Sequence, residues 1–393
     1  MQAVILAAGN STRTYPLTVT RPKSLLKIAN KTILEHNLSQ LKGLADEVVI
    51  VVGYRKEMIM EKFGDNFEGI RISYVEQKEQ LGTFHAPLQA KGLIKGRFIL
   101  MMGDDIYDRA DIESCLKHDL CVLAKKVPDP SRFGVCVLKG GNILEIVEKP
   151  EMFISDLANT GLYVFDKRIF DAHVEKTKRG EYEINDAIRE LARKAEIRCE
   201  VAKGRWLSIC YPWDILSANE ILLNNIANDI RGIVEPNATI KGNVVIGENT
   251  TVKNGSYIEG PVTIGSNCTI GPNCYIRPCT SIGDNCRIGN GVEIKNCVIM
   301  DNVHVGHLSY FGDSVIGNGV NIGAGSISAN LRHDNQPIKV LVKGQKVETG
   351  RKKLGTIIGD NVHLGIKTAI YPGRKIWAHK STVPAEVVKS DIV

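Results

Sequence analysis

The chain has 393 residues, which is too long for one ordinary domain and predicts two or three. Its hydrophobic fraction of 43% and charged fraction of 24% are typical of a globular protein and exclude a collagenous, coiled-coil or disordered chain. The formal net charge of +6 is mild and does not by itself choose between nucleic acid and small anions as ligands. No apolar run approaches the roughly 20 residues of a membrane-spanning helix, and the N-terminus lacks a signal-peptide pattern, so we expect a cytoplasmic protein.

The first part of the chain alternates strand-like and helix-like segments. Apolar or β-branched runs occupy Ala3–Leu6, Val48–Val52 and Phe98–Met102, and apolar residues recur at helical spacing over Ile33–Leu41. This alternation predicts a βαβ architecture with a buried parallel sheet. Ligands of such sheets bind beyond the carboxyl ends of the strands, here the loop after the first strand and the Gly103–Asp104 step. A helix over residues 216–228 is expected to connect this part to the next.

The second part repeats an aliphatic residue at every sixth position, ten times without a break. The aliphatic positions are Ile240, Ile246, Val252, Ile258, Ile264, Ile270, Ile276, Ile282, Ile288 and Ile294. A small or β-branched residue stands two positions before each, including Cys268, Cys274 and Cys286. Hexapeptide repeats indicate a parallel β-helix whose interior holds both sets of side chains. The ten cysteines form no CxxC pair, so we expect free thiols rather than a zinc site.

The hexapeptide pattern breaks near Met300 and resumes at Ile316 and Ile322, and the segment HLSYFGD, His307–Asp313, lies between these points. A polar, basic stretch without repeats follows Asn330 and is expected to form a loop, and the pattern returns at Thr356–Gly365. Interruptions of a regular solenoid are places where binding residues collect.

The loop after the first strand reads LAAGNSTRTYPLTVTRPKSLL, Leu6–Leu26. A small, glycine-containing loop in this place can direct backbone N–H groups at phosphates, and Arg13 and Lys23 add positive charge. It contains no GK[ST], which disfavours a P-loop ATPase.

This loop resembles the LAAGxGTRxxPLTxxxPK motif of the sugar-1-phosphate nucleotidylyltransferases, with Ser11 in place of the second glycine. The resemblance continues in order along the chain. Its further landmarks are QKEQLGT (Gln77–Thr83), Gly103–Asp104, RFGV (Arg132–Val135), EKP (Glu148–Pro150) and NTG (Asn159–Gly161).

The resemblance implies in-line attack of a sugar 1-phosphate on the α-phosphorus of a nucleoside triphosphate, with release of pyrophosphate. Arg13 and Lys23 would be catalytic, and Asp104 would hold Mg²⁺. The implied nucleotide-binding residues are Ala8, Gly9, Arg13, Lys23, Gln77, Gly82 and Thr83. The implied sugar-phosphate-binding residues are Gly134, Glu148, Lys149 and Asn159.

Two further departures from the family pattern bear on this chemistry. Ser208 stands where the family places the second metal-binding aspartate, and Asp214 is the nearest alternative. Phe84 replaces a usual alanine. The resemblance therefore leaves open a slow transfer, a transfer that relies on Asp104 with phosphate oxygens, or its loss.

With the repeats, the whole chain resembles the bifunctional, archaeal-type UDP-N-acetylglucosamine pyrophosphorylase/acetyltransferase family. The motifs IRP (Ile276–Pro278), EIK (Glu293–Lys295), HLSY (His307–Tyr310), VNIGAG (Val320–Gly325) and Ala329–Asn330 carry this resemblance. It implies an α/β fold: a Rossmann-like nucleotidyltransferase domain at residues 1–228, then a left-handed parallel β-helix of hexapeptide repeats at residues 229–393 with the acetyltransferase site.

His307 would be the base that takes the proton of the amine, because an imidazole can do so near neutral pH. The resemblance implies that Arg277, Lys295, Tyr310, Asn321, Asn330 and Lys339 bind the acetyltransferase substrate, that Ala324 lies along the acetyl-CoA path, and that Asn330 holds His307 or the acetyl carbonyl. Gln336 replaces a lysine of the bacterial pattern. The partners are then small molecules and, by analogy, two further copies in a homotrimer, with neither nucleic acid nor membrane.

Two other functions stay open at this point. One is a single-activity nucleotidylyltransferase with a structural β-helix, against which His307 argues. The other is a non-catalytic regulatory homologue, against which Arg13, Lys23, Asp104 and Lys149 argue. The sequence also leaves open UTP against dTTP, and N-acetylglucosamine 1-phosphate against glucose 1-phosphate.

Overall fold

The computed structural model describes residues 1–177 and 180–393, which form two compact units. The first unit comprises residues 1–10, 22–25 and 33–208, and the second comprises residues 11–21, 26–32 and 209–393. The boundary after Ser208 divides the chain into compact units. The predicted boundary at residue 228 divides the chain by activity, and it stays a prediction.

The first unit is built on a ten-stranded sheet. Its strands are β1 (Gln2–Ala7), β4 (Glu47–Val52), β5 (Asn66–Phe67), β6 (Ile70–Glu76), β7 (Phe98–Met102), β9 (Cys121–Lys126), β10 (Gly134–Lys139), β11 (Asn142–Glu148), β12 (Leu157–Phe165) and β13 (Arg198–Val201). Their spatial order across the sheet is β10-β11-β13-β9-β12-β7-β1-β4-β6-β5. A separate ribbon pairs β8 (Asp105–Tyr107) with β14 (Trp206–Ser208).

The helices of the first unit are short and lie between its strands. They are α1 (Ile33–Leu41), α2 (Lys56–Phe63), α3 (His85–Leu88), α4 (Arg109–Cys115) and α5 (Ile184–Ala192), with 3₁₀ turns at Lys23–Leu25 and Lys167–Asp171.

The sheet is parallel where the predicted apolar runs lie, and mixed elsewhere. Strand β1 runs parallel to both β4 and β7, and β4 runs parallel to β6. Strand β12 is inserted antiparallel between β7 and β9, so the predicted parallel sheet continues as a mixed sheet in this half. The predicted strands are buried except at Leu6 and Met102, which are partly buried at the strand ends, because side chains pack on both faces of the sheet.

The second unit contains the predicted β-helix, built from three parallel sheets. The first sheet has strands at 229–230, 244–246, 262–264, 280–282, 298–299, 315–316, 356–358 and 374–376. The second sheet has strands at 233–234, 251–252, 269–270, 287–288, 304–305, 321–322 and 363–364. The third sheet has strands at 239–241, 257–259, 275–276, 293–295, 310–312, 327–328, 369–370 and 387–388.

The hexapeptide ladder lies in the interior of the coil, as predicted. The aliphatic residues from Ile246 to Ile294 are at most 1% exposed, and they form one core cluster with Cys268, Cys274 and Cys286. All ten cysteines are free thiols. The three in the ladder are buried packing residues, which agrees with the size and polarizability of cysteine.

Three elements of the second unit differ from or refine the sequence-based expectations. Helix α6 spans Asp214–Leu223, so it begins two residues earlier and ends five residues earlier than expected. The stretch after Asn330 has no repeats, but it folds into an antiparallel hairpin of Lys339–Val342 and Gln345–Glu348 rather than a plain loop. Two short strands, β2 (Lys27–Ile28) and β3 (Lys31–Thr32), pair with each other in the N-terminal part of the unit.

Candidate functional site

Lys23 and Asp104 come from separate motifs and meet in the first unit. Strands β1 and β7 are neighbours, with Leu6 opposite Met102, so the loop after β1 and the Gly103–Asp104 step leave the sheet at the same edge. The Lys23 side chain is buried, and its Nζ lies 2.7 Å from Oδ2 of Asp104, whose side chain is 43% exposed. The structure therefore pairs a buried cation with a carboxylate that can also be reached from solvent.

Asp105 follows directly and was missed by the sequence reasoning. Its buried carboxylate accepts a hydrogen bond from Nε1 of Trp206 at 2.9 Å and another from the Ser208 hydroxyl. Burial, reinforced by the charge of Asp104 and opposed by Lys23, raises the pKa of Asp105 to about 7. The sequence signal that could have identified Asp105 is its place as the second aspartate of GDD, directly after the predicted metal ligand Asp104.

Ser208 does lie beside the predicted metal site, because β14 pairs with β8 and places Ser208 opposite Asp105. Oδ2 of Asp214, by contrast, accepts hydrogen bonds from the backbone N–H groups of Cys210 and Tyr211 at 2.9 and 2.7 Å. These bonds hold the turn that precedes α6. Asp214 thus has a structural role in its own unit.

The acidic residues present fit a Mg²⁺ ion that is shared with a substrate. Among the described residues no three His, Cys, Asp or Glu side chains form a cage for a metal. Mg²⁺ commonly uses one or two carboxylates together with substrate phosphates and keeps some of its waters. Asp104 is half-exposed and can supply one such carboxylate oxygen.

The predicted base-recognition segment is held by close backbone packing. Gly82 has a φ of +107°, and a Cβ there would lie 2.5 Å from the carbonyl oxygen of Tyr182, so only glycine fits. Nε2 of Gln77, which is buried, lies 3.4 Å from the Gly82 carbonyl oxygen. The Thr83 hydroxyl accepts a hydrogen bond from the backbone N–H of Ile184 at 3.0 Å.

The same segment contacts the loop after β1. Nε2 of Gln80 donates to the carbonyl oxygen of Ala8 at 2.6 Å. Ala8 is buried, whereas the following Gly9 is exposed with its backbone available to a ligand. Phe84 is buried in the apolar core and packs there in place of the family's alanine.

The predicted sugar-phosphate residues form one polar cluster. Nδ2 of Asn185 donates to Oε2 of Glu148 at 3.2 Å, and Nδ2 of Asn159 donates to Oδ1 of Asn185 at 3.3 Å. Gly134 pairs opposite Glu148, and Nζ of Lys149 lies 3.4 Å from Oε1 of Glu148. Asn185 joins the two motifs, and sequence reasoning missed it because no repeated pattern marks it.

Arg13 and Ser11 belong to the second unit. Ser11 has a left-handed backbone with φ 49°, which explains why the family favours glycine at this position. Arg13 is exposed and lines a cavity of about 290 Å³ together with Tyr15, Lys375 and Trp377.

Arg277 and Lys295 lie one above the other on the third sheet of the β-helix. Ile276 is opposite Ile294 in the ladder, so the two cations follow at equivalent positions in successive coils. Nη1 of Arg277 lies 2.8 Å from Oε1 of Glu293. The structure thus stacks the two cations to which the resemblance assigns the substrate phosphate, with a carboxylate beside each of them.

Asp313 connects several predicted residues and was itself missed, although it ends the HLSYFGD segment. It is buried, and Oδ2 accepts a hydrogen bond from Nδ2 of Asn330 at 2.6 Å and lies 3.7 Å from Nζ of Lys295. Asn330 also donates to the Tyr310 hydroxyl at 3.3 Å. The structure therefore brings Lys295, Tyr310 and Asn330 together around one carboxylate.

His307 lies in the turn between the second and third sheets. Its side chain is exposed, and its carbonyl oxygen accepts a hydrogen bond from the N–H of Gly325, which follows Ala324 in the equivalent turn of the next coil. Within the described residues, the hydrogen bonds of the Asn330 side chain go to Tyr310 and Asp313, and none goes to His307. The imidazole is thus outside the coil interior and free to face a substrate.

Two predicted residues lie apart from this cluster. Asn321 is exposed on the second sheet, opposite His304 and His363, rather than on the sheet of Tyr310. Lys339 begins the hairpin, and its Nζ lies 2.8 Å from Oε1 of Glu348. Gln336 is exposed in the segment before that hairpin.

Comparison with known proteins gives matches over both parts of the chain. The family described as nucleotidyl transferase matches residues 2–225, and the family described as GMPPB C-terminal domain matches residues 258–393. The chain is also similar to a crystal structure of UDP-glucose pyrophosphorylase complexed with UDP-glucose, at 26% identity and a TM-score of 0.52, covering 57% of this chain and 98% of that one.

Relatives also match along the full length. The bifunctional protein GlmU of Methanocaldococcus jannaschii is 44% identical over 96% of this chain and 92% of its own. The bifunctional sugar-1-phosphate nucleotidylyltransferase/acetyltransferase of Sulfurisphaera tokodaii is 40% identical over 100% of this chain and 98% of its own. In the described ranges, no helix is long and apolar enough to cross a membrane. The chain belongs to the family of bifunctional sugar-1-phosphate nucleotidylyltransferase/acetyltransferase enzymes.

Proposed function

We propose that the enzyme acetylates glucosamine 1-phosphate with acetyl-CoA and then transfers a uridylyl group from UTP to N-acetylglucosamine 1-phosphate. The products would be UDP-N-acetylglucosamine and pyrophosphate. One observation carries this proposal: a single chain that matches bifunctional relatives along its length holds both polar clusters, around Asp104 and around Asp313. We assign nucleotidyl transfer to residues 1–228 and acetyl transfer to residues 229–393.

Nucleotidyl transfer needs positioning and charge neutralisation rather than covalent work by the protein. The buried ammonium of Lys23 can stabilise charge on the triphosphate. Arg13 is the second cation proposed for the triphosphate, and Gly9 offers an exposed backbone next to a buried strand end. Gln77, Gly82 and Thr83 would face the base, and the cluster of Glu148, Asn159 and Asn185 can bind sugar hydroxyls.

Mg²⁺ is the cofactor we propose for this reaction, with Asp104 as the protein ligand. When bound, the ion neutralises phosphate charge and orients the triphosphate. The hydroxyl of Ser208 is a weaker ligand than a carboxylate, so phosphate oxygens and water would complete the coordination.

Acetyl transfer requires the neutral amine of glucosamine 1-phosphate, and we propose that His307 accepts its proton. Arg277 and Lys295 would bind the phosphate, and Tyr310 and Asn330 the sugar, from the cluster around Asp313. Acetyl-CoA would approach along the turn of Ala324, which is stacked on the turn of His307. Asn321 and Lys339 lie apart from this cluster, so in our proposal they serve a substrate bound between copies of the chain.

A homotrimer is part of the proposal, and exposed apolar side chains on the β-helix support it. Leu308 is 68% exposed beside His307, and the same corner carries Ile366 and Val383, exposed by 53% and 66%. Covering such side chains favours association. A mass measurement by light scattering should give three chains; a monomer would exclude a shared site. We also place the enzyme in the cytoplasm, where UTP and acetyl-CoA are available and free thiols persist.

A substrate panel tests the proposed function. Pyrophosphate release is measured with UTP or dTTP and with N-acetylglucosamine 1-phosphate or glucose 1-phosphate, and free CoA is measured with acetyl-CoA and glucosamine 1-phosphate. We expect both products, with UTP and N-acetylglucosamine 1-phosphate as the preferred pair. Pyrophosphate without CoA would indicate the single-activity nucleotidylyltransferase, and neither product would indicate the regulatory homologue.

A further inference from the structure

The phosphate-binding loop is divided between the two compact units. Residues 11–21 and 26–32 belong to the second unit, whereas residues 1–10 and 22–25 belong to the first. Lys23 therefore lies in a short stretch between two segments that pack in the β-helix unit. The positions of those segments restrict the backbone of Lys23, because only two or three peptide bonds separate it from either one.

Arg21 anchors the first of these segments. It forms an ion pair and a hydrogen bond through Nη2 with Oδ2 of Asp360, and the Thr20 hydroxyl donates to the same oxygen. The Arg21 and Asp360 side chains are 8% and 6% exposed. Nη1 of Arg21 lies 3.7 Å from the sulfur of Met300. A buried ion pair of this kind fixes geometry strongly, because separating it leaves an uncompensated charge.

Lys27 anchors the second segment. Its Nζ lies 2.7 Å from Oδ1 of Asp301 and 3.1 Å from Oδ2 of Asp284, and its side chain is 14% exposed. Burial lowers the pKa of Lys27, but the attraction and hydrogen bonds of the two carboxylates outweigh burial and raise it. Nδ2 of Asn30 adds a hydrogen bond to the carbonyl oxygen of Ile282 at 2.7 Å.

The three aspartates share one place in the β-helix, at the same turn in different coils, and we call them the turn acids: Asp284, Asp301 and Asp360. Oδ1 of Asp284 accepts the N–H of Ser266, and Oδ1 of Asp360 accepts the N–H of Asn318, each at 2.8 Å. In both residues Oδ1 joins neighbouring coils, whereas Oδ2 contacts a loop cation, which is Lys27 for Asp284 and Arg21 for Asp360.

We infer that the turn acids are positioning residues for nucleotidyl transfer, because they hold the phosphate-binding loop in its working shape through Arg21 and Lys27. This inference rests on the nucleotidyl transfer proposed above. Ordering a loop costs conformational entropy for each residue that is fixed, and misplacing a binding group by about 1 Å can cost about 100-fold in rate. The β-helix would thus contribute to a reaction whose sugar and base contacts all lie in the first unit.

The test uses the full chain with two variants: Asp360→Asn, which removes the charge that holds Arg21, and the double change Asp284→Asn with Asp301→Asn, which removes both charges that hold Lys27. Asparagine keeps Oδ1 for the coil but replaces the charged oxygen, so the solenoid should persist while the anchor is lost. The matched control is Glu248→Gln: Glu248 occupies the same kind of turn, its side chain is 68% exposed, and its ion-pair partner is Arg231.

For each turn-acid variant we expect kcat/KM for UTP to fall by about 10- to 100-fold. Acetyl transfer, measured well below the thermal midpoint, should match that of the control, whereas the midpoint itself should fall because a buried cation loses its charged partner. Hydrogen exchange should become faster at residues 11–32 and stay unchanged in the β-helix interior. Arg21→Gln combined with Asp360→Asn should be no worse than either single change, because both remove one interaction.

Wild-type kcat/KM in both variants, or unchanged exchange at residues 11–32, would overturn the inference. An equal loss of both activities together with a lower thermal midpoint would also overturn it, since that result indicates a role in stability alone. Failure of the proposed function itself is a different result: no pyrophosphate from the wild-type enzyme. In that case the exchange data still decide whether the turn acids hold the loop.

Discussion

Replacing Asp105 with asparagine should make the stability of the first unit less dependent on pH. The pKa of this carboxyl is raised from 3.8 to about 7, chiefly by burial. Between these two pH values the folded protein holds a proton that the unfolded chain releases, so ionisation destabilises the fold increasingly as pH rises from about 4 to 7. The shift corresponds to about 4 kcal/mol when complete, and about 2–3 kcal/mol of it develops between pH 5 and pH 8.

The measurement is denaturant unfolding without divalent metal at both pH values, followed by the helical circular-dichroism signal. Five of the six α-helices within the described residues lie in the first unit, so this signal reports mainly on that unit. The stability difference between Asp105→Asn and wild type should shift in favour of the variant by about 2–3 kcal/mol from pH 5 to pH 8. Asp119→Asn, at a fully exposed carboxylate, serves as the control. An equal difference in unfolding free energy between variant and wild type at both pH values would refute the argument that the surroundings of Asp105 raise its pKa.

Four further predictions concern single residues. Lys23→Ala should lower nucleotidyl transfer by about 100- to 1000-fold and leave acetyl transfer within about twofold, as measured by pyrophosphate and CoA release. His307→Ala should lower acetyl transfer by about 100- to 10,000-fold with little change in the thermal midpoint, because the ring is exposed; wild-type acetylation in this variant would exclude it as the base. Ser208→Asp should raise the affinity for Mg²⁺ in a metal titration of pyrophosphate release, whereas an unchanged titration would mean that another group already completes the site. Ser11→Gly should raise stability by about 1 kcal/mol in denaturant unfolding, because it relieves a left-handed serine; no gain would show that the greater freedom of glycine in the unfolded chain offsets the relieved strain.

The β-helix and the loop motifs could be predicted because their signals are local. A six-residue period places Ile246 and Ile294 in the interior regardless of what surrounds the coil, and both are buried. Lys23 and Asp104 are predictable for a different reason: each follows a strand that must end at the same sheet edge. The hairpin Lys339–Glu348 also had a readable signal, alternating residues around Lys343–Gly344, and was expected to be a loop because only the lost hexapeptide period was considered.

The residues that sequence reasoning missed are those whose partners are distant along the chain. Asn185 contacts Glu148, 37 residues away, and Asp313 contacts Asn330 in the next coil. Nothing in the neighbouring sequence of either residue depends on these contacts. They follow from strand register and coil stacking, which fix which side chains face each other after the chain has folded.

The contacts of the turn acids with the loop could not be predicted from the sequence either, because the residues around each aspartate indicate only a solenoid turn. Asn318 occupies the equivalent turn and accepts the N–H of Asp301 at 3.1 Å through its amide oxygen, so the coil needs an acceptor there and no charge. The carboxylates occur where Lys27 and Arg21 lie, and the uncharged Asn318 has neither cation among its hydrogen-bond partners. We infer that the negative charge at this turn holds the loop cations, whereas the coil needs only the acceptor oxygen. An asparagine that keeps the acceptor and removes the charge therefore tests the loop contact apart from the coil contact.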